Sequence, residues 1–419
     1  MVDSISKTYE ITEIPPSALL VGAPEVSLAE LEGLVHTLGL NSIRSITLAR
    51  ISPTVQYAMG TGKASEIVKI AHEIEADCII FDFEISPTQQ RNWEKLAKLP
   101  VYDRQEIIIR IFAQRAQTKE ASLQVELAQL QYSLPRLAHS YGDMAKQRGG
   151  NFGSKGSGET QLELDRRAIL TKSAKIKKDL KKIVKERKTQ RKRREKIPIP
   201  VAAIVGYTNA GKSSLLNALT SSGVFVEDKL FATLDPTTRR LTLNGGAGLL
   251  LTDTVGFISK LPHSLIDAFK STLEEANRAN LQILLLDASD PDVFNQYTTV
   301  VDVLAEIEAD KNKRIIVLNK CDKNIPGTTK KRLTKEFPKA VWVSAKTKKG
   351  FDELSELITK ELFGKTRIYA LPLDRADLVQ KIRLNGVLIE EEWKDSHIKI
   401  TARISGKIKK YIAHYECDN

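Results

Sequence analysis

One short segment constrains the fold of this chain more than any other part of its sequence. The apolar run VAAIV (201–205) predicts a buried strand, and GYTNAGKSSLLNAL follows it directly with the pattern of a glycine loop that opens a helix. Gly206, Gly211, Lys212 and Ser213 have the spacing of a phosphate-binding loop. A chain with this strand, loop and helix is expected to contain an α/β domain around a mostly parallel sheet.

The residue types in this loop suit the binding of a nucleoside triphosphate. Glycine lets backbone amides point at the phosphates, Lys212 brings a positive charge to the β- and γ-phosphates, and Ser213 can bind Mg²⁺. Asn209 lies in the same loop and is a candidate ligand for K⁺ beside the α- and γ-phosphates. Because so short a pattern also occurs by chance, the loop alone indicates a nucleotide without naming its base.

Three further motifs follow in the order that a guanine-nucleotide site requires. LLLTDTVGF ends a strand at Asp253, which is placed to hold Mg²⁺ through water, and then reaches Gly256, whose amide can bond the γ-phosphate. IIVLNKCD ends with NKCD (319–322), and VWVSAK ends with SAK (344–346). Four motifs in this order, each at a strand end, predict a domain that binds GTP and hydrolyses it to GDP and phosphate with Mg²⁺.

A carboxylate selects the base in this interpretation. Asp322 can accept two hydrogen bonds from N1 and N2 of guanine, whereas adenine leaves the carboxylate without them. Lys320 is expected to lie over the plane of the base, and the Ala345 amide is expected to meet guanine O6. GTP and GDP are therefore the predicted ligands.

The loop between the phosphate loop and Asp253 contains LFATLDPTTRR. A threonine in this loop is expected to close on Mg²⁺ only when the γ-phosphate is present. The spacing leaves three candidates open: Thr233, Thr237 and Thr238.

The residue after Gly256 is Phe257, at a position where many GTPases carry a glutamine that orients the attacking water. A phenyl ring cannot orient water. Intrinsic hydrolysis is therefore expected to be slow, and another component must complete the site.

The sequence before these motifs predicts two further regions. Residues 17–110 alternate strand-like and helix-like patterns, which predicts a small α/β domain. A polar helical pattern runs from Gln105 to Leu137 and another begins near Leu162, so we expect a long antiparallel helical hairpin. Its tip holds five glycines, which offer no side chains for a core: Gly149, Gly150, Gly153, Gly156 and Gly158.

The net charge of +12 is concentrated in the second half of this hairpin. Residues 172–196 hold fourteen basic and three acidic side chains, a local charge of +11. Phosphate backbones are the polyanions that usually screen such a density, so we predict RNA contact by this segment and by the glycine tip, which carries Lys155 and Phe152. The alternatives are a solvated basic helix and an inert glycine linker.

Length and composition indicate several domains. The chain has 419 residues, of which 42% are hydrophobic, and this is more than one ordinary core needs. We place an N-terminal α/β domain at 1–112, the hairpin at 113–198, the GTPase domain at 199–364 and a small α+β domain at 365–419.

The remaining features favour a monomeric cytoplasmic protein with no membrane span. Cys78, Cys321 and Cys417 have neither metal-ligand nor disulfide spacing. The N-terminus does not resemble a signal peptide, and no apolar run approaches the roughly 20 residues that a membrane helix needs.

The motifs together resemble a known family. GYTNAGKSSL, LFATLDPTTRR, DTVGFI, KLPH, NKCD and SAK are similar to the signatures of the HflX family, within the Obg–HflX group of translational GTPases. GGNFGSKGSGETQLELDRR and AMGTGKASEI also resemble segments of that family, and the likeness covers residues 17–364. The C-terminal part resembles an extra domain that some members carry.

The resemblance implies a partner and a role. Members bind the large ribosomal subunit and its rRNA, act on stalled or stressed ribosomes, and can split the two subunits. It also implies that Thr233 is the Mg²⁺ threonine, and it matches the hydrophobic Phe257. Some members use ATP through the N-terminal region, but Tyr57 stands here where a phosphate loop ending at Lys63 needs its first glycine. We therefore interpret GTGK (60–63) as a structural turn.

Motifs and resemblance together predict one site. The residues expected to act in catalysis are Lys212, Thr233 and Gly256. Those expected at Mg²⁺ are Ser213, Thr233 and, through water, Asp253. The residues expected to contact the nucleotide are Gly206, Tyr207, Thr208, Asn209, Ala210, Gly211, Lys212, Ser213, Phe231, Ala232, Thr233, Leu234, Asp235, Asp253, Thr254, Val255, Gly256, Asn319, Lys320, Cys321, Asp322, Ser344, Ala345 and Lys346.

Two rival functions stay open on the sequence. One is a regulatory GTPase switch that acts on a protein partner, and the other is an RNA remodeller that uses ATP at the N-terminal domain. Salt-dependent binding to large ribosomal subunits would argue against the first rival. ATPase activity that survives Asp322→Asn would favour the second.

Overall fold

The computed structural model describes most of the chain. The described residues are 15–24, 27–53, 55–147, 157–194, 199–220, 230–243, 246–260, 275–404 and 409–417, and of 138–147, 157–162, 187–194 and 385 only the backbone is described. The predicted RNA contact of the glycine tip at 149–156 lies outside the described residues, and so do the side chains of the most basic stretch, 187–196.

The described residues group into two compact units. The first contains residues up to Gln114 and from Gln129 to Thr171. Its sheet is parallel throughout, in the order β2–β1–β3–β4. The elements are β1 (Ser17–Gly22), α1 (Ala29–Leu38), β2 (Asn41–Thr47), α2 (Thr61–Glu73), β3 (Cys78–Phe81), α3 (Pro87–Ala97), β4 (Val101–Asp103) and α4 (Arg104–Arg115).

The predicted small α/β domain is confirmed by this sheet, with one strand that the sequence did not reveal. Strand β4 has three residues and passes directly into α4, so its apolar pattern was too short to recognise. Trp93 on α3 is fully buried against the sheet, and its Nε1 donates a hydrogen bond to the carbonyl of Tyr57 at 3.1 Å.

The GTGK segment starts helix α2. Gly60 is the N-cap, and the Lys63 ammonium pairs with Glu66 at 2.8 Å. Tyr57, at the position where a phosphate loop needs glycine, packs edge-on against Trp93 with 5.5 Å between the ring centroids. These contacts support the interpretation of a structural turn.

The hairpin helices are α5 (Lys119–Gln147) and α6 (Ser157–Arg194), and both contribute residues to the two units. The predicted continuous helix from Gln105 to Leu137 is wrong in one respect, because α4 ends at Arg115 and α5 begins at Lys119. Thr118 caps the new helix, since its Oγ1 accepts a hydrogen bond from the Ala121 amide at 3.1 Å.

The second unit contains Arg115–Ala128 and the described residues from Lys172 onward. Its first sheet has the order β10–β9–β8–β5–β7–β6, parallel except for β6, which confirms a mixed, mostly parallel sheet. Its elements are β5 (Val201–Gly206), α7 (Lys212–Thr220), β6 (Thr237–Thr242), β7 (Gly248–Asp253), β8 (Leu281–Asp287), α8 (Val293–Glu306), β9 (Arg314–Asn319), α9 (Gly327–Glu336), β10 (Val341–Trp342) and α10 (Phe351–Phe363).

The last part of the chain forms an antiparallel sheet in the order β12–β13–β11–β14, with helix α11 packed against it. This arrangement confirms the predicted α+β region. Its elements are β11 (Arg367–Leu371), α11 (Ala376–Asn385), β12 (Gly386–Trp393), β13 (Ile398–Ile404), α12 (Lys409–Ile412) and β14 (Glu416–Cys417). Within the described ranges, no helix combines the length and apolar character needed to cross a bilayer.

Candidate nucleotide-binding site

The phosphate loop joins the end of β5 to the start of α7, at the carboxyl edge of the parallel strands. Gly211 has a φ of +93°, and a Cβ there would lie 2.4 Å from Asn319 Nδ2, so only glycine fits. Asn209 also adopts a left-handed φ of 59°. Left-handed residues in such a loop turn successive amides to one side, as a phosphate site requires.

Lys212 is buried at the first position of α7. Its Nζ donates a hydrogen bond to the carbonyl of Tyr207 at 2.8 Å. Burial lowers the pKa of Lys212 to about 8, although the Asp253 carboxylate opposes that shift. A Cβ on Gly256 would lie 2.9 Å from this Nζ, so the glycine backbone passes directly beside the ammonium. The two predicted γ-phosphate contacts therefore converge.

The three predicted Mg²⁺ residues lie together. Ser213 Oγ donates a hydrogen bond to Asp253 Oδ2 at 2.6 Å and lies 2.8 Å from Thr233 Oγ1. The other candidate threonines are in β6, where Thr238 Oγ1 lies 2.9 Å from Thr252 Oγ1. Of the three threonines that the spacing left open, the structure brings Thr233 to the serine and the aspartate.

The chemistry of this cluster fits Mg²⁺. Asp253 Oδ1 is buried and has no hydrogen-bond partner among the described residues. Burial raises the pKa of Asp253, against the opposing effects of Lys212 and the Ser213 hydroxyl. A divalent cation would compensate the carboxylate. Among the described residues, no group of three or more His, Cys, Asp or Glu side chains forms a metal cluster.

The segment after Asp253 is tied to the phosphate loop by backbone bonds. The Phe257 amide donates to the Gly206 carbonyl at 3.1 Å, and the Thr208 amide donates to the Phe257 carbonyl at 2.7 Å. The Phe257 side chain is only 1% exposed. It is part of the core.

Asn319 joins the phosphate loop to the SAK loop. Its Nδ2 donates to the Ala210 carbonyl at 2.8 Å, and its Oδ1 accepts a hydrogen bond from the Ala345 amide at 3.1 Å. We expected the Ala345 amide to meet guanine O6. In this structure the amide is engaged by Asn319, so a bond to O6 requires it to be shared or released.

Asp322 is exposed and accepts a hydrogen bond from a buried serine. Ser344, which is fully buried, donates from its Oγ to Asp322 Oδ1 at 2.6 Å. This hydrogen bond, more than the nearby Lys346, holds the pKa of Asp322 below its ordinary value. The carboxylate is therefore charged at neutral pH and oriented at the rim of the site.

Lys320 has a partner that the sequence motifs did not indicate. Its Nζ donates to the Asn209 carbonyl at 2.8 Å and pairs with Asp287 Oδ2, also at 2.8 Å. The second Asp287 oxygen accepts hydrogen bonds from the backbone and hydroxyl of Ser289. The position of Asp287 could have indicated this pair, because Asp287 ends β8 at the same sheet edge as the motifs.

Asp235, which was predicted to contact the nucleotide, is bonded in this structure to residues at the start of α5. The Asp235 carboxylate accepts hydrogen bonds from the amides of Gln117 and Thr118 and from the Thr118 hydroxyl. Phe231 and Leu234, in the same loop, are each 2% exposed and packed into the protein. Of this loop, Phe231, Ala232 and Thr233 line the cavity beside the phosphate loop.

The remaining predicted residues are Thr254, Val255 and Cys321, of which Thr254 also lines the cavity. Thr254 Oγ1 donates to the Ile204 carbonyl at 2.7 Å, and the Cys321 amide donates to the Val343 carbonyl at 3.1 Å. Val255 is buried.

Comparison with known proteins identifies the family. The chain is 40% identical over 402 residues to GTPase HflX of Caldanaerobacter subterraneus subsp. tengcongensis, covering 94% of this chain and 92% of the relative. It is 39% identical over 381 residues to GTPase HflX of Escherichia coli strain K12, covering 90% and 89%. The chain belongs to the HflX family of GTPases.

Family models match regions along the same chain. They describe a GTP-binding GTPase N-terminal region at residues 25–113, a GTP-binding GTPase middle region at 115–194 and a 50S ribosome-binding GTPase at 201–320. A crystal structure of a GTP-binding protein from the archaeon Sulfolobus solfataricus in complex with GDP covers 83% of this chain and 98% of that chain, with 24% identity and a TM-score of 0.46. Membership of the HflX family makes this chain a GTPase, as the motifs predicted.

Proposed function

We propose that this HflX GTPase binds the large ribosomal subunit in its GTP state and splits or rescues stalled ribosomes. The matched description of a 50S ribosome-binding GTPase at 201–320 supports the ribosomal partner. The structural observation that carries the proposal is the exposed basic surface of helix α6, in the hairpin that precedes the GTPase domain.

Helix α6 is two-sided where its side chains are described. Ile176 is 4% exposed, and Leu180, Ile183 and Val184 are partly buried at the i+4, i+7 and i+8 positions, which form one face. The remaining circumference carries exposed lysines: Lys175, Lys177, Lys178, Lys181, Lys182 and Lys185. Lys172, one turn before Ile176, is also exposed. A helix anchored along one side presents its charge in a fixed direction, unlike a freely solvated linker.

Part of this charge has no ion-pair partner among the described residues. Lys172 pairs with Glu126 at 2.6 Å, and Lys182 lies 3.5 Å from Asp179. Four other lysines form no ion pair with any described residue: Lys175, Lys177, Lys178 and Lys181. Closely spaced ammonium groups gain most from an anionic polymer whose bound counterions they can replace. Ribosomal RNA is that polymer in our proposal.

Replacing Lys175, Lys177, Lys178 and Lys181 together with Gln should weaken binding to purified large subunits by at least about tenfold near 0.1 M salt. The slope of log affinity against log salt should flatten by roughly 0.7–0.9 for each phosphate that the variant no longer neutralises. Co-sedimentation at several salt concentrations, with GDP and with a non-hydrolysable GTP analogue, measures both quantities.

The matched control removes four charges from the GTPase domain outside residues 201–320, at exposed lysines that form no ion pair with a described residue: Lys331, Lys335, Lys339 and Lys360. Its ribosome affinity and salt slope should stay near those of the wild type. Equal losses in both variants would indicate unspecific attraction. An unchanged α6 variant would favour a protein partner and a solvated helix.

In the proposed chemistry the chain positions the triphosphate and compensates its charge. Lys212 and the Gly256 amide stabilise negative charge at the γ-phosphate, because both lie at the same point of the site. Ser213, Thr233 and Asp253 would hold Mg²⁺, since their oxygens lie together. The ion would supply positive charge that compensates the phosphates.

Hydrolysis by the isolated protein should be slow and should rise when large subunits are added, because buried Phe257 leaves the attacking water unoriented. K⁺ should support faster hydrolysis than Na⁺ if Asn209 binds it as proposed. Phosphate release is measured with and without subunits, in matched KCl and NaCl. Fast hydrolysis by the protein alone would contradict the first expectation, and equal rates in the two salts would exclude the K⁺ role.

The division into four domains also stays a proposal. The boundaries at 112, 198 and 364 are offered as the limits of independently folding parts, and limited proteolysis with mass mapping would test them.

A further inference from the structure

The loop that carries Thr233 is fastened to the start of helix α5. The Asp235 carboxylate accepts hydrogen bonds from the amides of Gln117 at 3.2 Å and Thr118 at 3.1 Å, and another from the Thr118 hydroxyl. The same hydroxyl accepts a hydrogen bond from the Ala121 amide. Thr118 is therefore both the N-cap of α5 and the donor to Asp235.

These hydrogen bonds of Asp235 lie close in sequence to Thr233, one of the three predicted Mg²⁺ residues. Asp235 is two residues beyond Thr233, a span of at most about 7 Å along the backbone. Leu234 between them is 2% exposed, so the intervening chain is packed and cannot absorb a displacement freely. Thr233 Oγ1 lies 2.8 Å from Ser213 Oγ. A shift of Asp235 must therefore move the Thr233 hydroxyl.

Electrostatics favours the same arrangement. The first amides of a helix have no partners within it, and the N-terminus carries about half a positive charge. Asp235 brings a carboxylate to this end of α5, a helix of 29 residues. Two amides and one hydroxyl donate hydrogen bonds to the carboxylate together. Three bonds to a charged acceptor fix its position better than a single surface hydrogen bond would.

We infer that Thr118 is a positioning residue for GTP hydrolysis, which holds Thr233 at the Mg²⁺ site through Asp235. The inference rests on the proposed role of Thr233 as a metal ligand. Its consequence is that the first turn of a hairpin helix takes part in the chemistry of the GTPase domain. Anything that shifts this turn changes the rate of hydrolysis without touching the nucleotide.

The test separates helix capping from the contact with Asp235. Thr118→Asp keeps a good N-cap but places a second carboxylate against Asp235, whereas Thr118→Ser keeps the hydroxyl. Thr118→Asp should lower kcat on the order of tenfold or more and raise the Mg²⁺ concentration needed for half-maximal hydrolysis. Thr118→Ser should keep both kcat and the Mg²⁺ requirement near their wild-type values. GDP affinity should stay within about twofold in both variants, because Thr233 is needed only with the γ-phosphate.

Two further variants make the outcome specific. Ser86 is the N-cap of α3, where its side chain accepts from the Gln89 amide, so Ser86→Asp is the same kind of change at a helix start far from the switch loop in sequence. Its hydrolysis and Mg²⁺ requirement should match the wild type. Thr233→Ala gives the size of the effect when the metal ligand itself is removed.

The possible failures are distinguishable. If Thr233→Ala hydrolyses GTP normally, the proposed metal role is wrong and the inference fails with it. If Thr233→Ala is slow while Thr118→Asp has a normal rate and Mg²⁺ requirement, the proposed function stands and the positioning role is refuted. A loss of GDP affinity as large as the loss of kcat in Thr118→Asp would indicate a general disturbance and would also overturn it.

Discussion

Asp322→Asn is expected to lose about a hundredfold in GTP affinity and to prefer XTP instead. In the predicted site the carboxylate would accept hydrogen bonds from N1 and N2 of guanine, whereas an amide would turn a donor toward the amino group at C2. Xanthine has a carbonyl at that position and pairs with the new donor. Ser344 can still donate to the carbonyl oxygen of the introduced amide, so the rim of the site should keep its shape. Titration with fluorescent GTP and XTP analogues measures the switch.

The control for this change is Asp352→Asn, which removes an exposed carboxylate from the first turn of α10, outside the nucleotide site. It should leave both affinities unchanged. If Asp322→Asn keeps the wild-type affinity for GTP, the assignment of this residue to the base is wrong.

Lys212→Ala is expected to abolish measurable turnover and to weaken GTP and GDP binding by at least about a hundredfold. The ammonium is buried beside Asp253 and Gly256, where no other described cation lies within an ion-pair contact. Its removal leaves the phosphates without that charge and the Asp253 carboxylate without its compensating neighbour. Calorimetric titration and phosphate release measure the two losses, and a thermal melt shows whether the fold survives.

Lys63→Ala is the matched control, because Lys63 ends the GTGK segment that only partly resembles a phosphate loop. Its ammonium pairs with Glu66 at the start of α2. Nucleotide binding and turnover should remain at wild-type values, with ATP as well as GTP tested. Normal turnover in Lys212→Ala would refute the phosphate-loop assignment, and an ATP-specific loss in Lys63→Ala would revive the ATP hypothesis.

The fold and the family were predictable because their signals are local in sequence. A buried strand, a glycine loop and a helix start lie within about twenty residues, and each later motif ends its own strand. Parallel strands bring their carboxyl ends to one edge of a sheet, so the order of the motifs was sufficient to assemble the site.

The remaining features depend on contacts between distant parts of the chain. Residues 116–118 contain neither glycine nor proline, so the helical pattern runs through them without a visible break. Thr118 starts a new helix with a hydroxyl that is also bonded to Asp235, 117 residues further along the chain. The ion pair of Lys320 with Asp287 was not predicted for the same reason, because the two residues belong to separate sequence patterns.

The choice among three threonines also depends on contacts that the local sequence does not show. All three occur within six residues, and spacing cannot say which hydroxyl turns toward Ser213. Strand pairing decides it, because Thr237 and Thr238 belong to β6 and are committed to the ladder with β7. The roles of the individual site residues remain predictions, and the variants proposed above test them.

The crowding of Gly211 against Asn319 has an evolutionary consequence. Any side chain at position 211 collides with the amide that also bonds Ala210, a residue 109 positions earlier than Asn319. An alanine at 211 would collide with the Asn319 amide and would also be strained by the φ of +93°, so a shorter residue at 319 would not make it tolerable. Shortening residue 319 would also remove the hydrogen bond from the Ala345 amide. We therefore expect compensating pairs of changes at positions 211 and 319 to be rarer among related chains than pairs in the surrounding core.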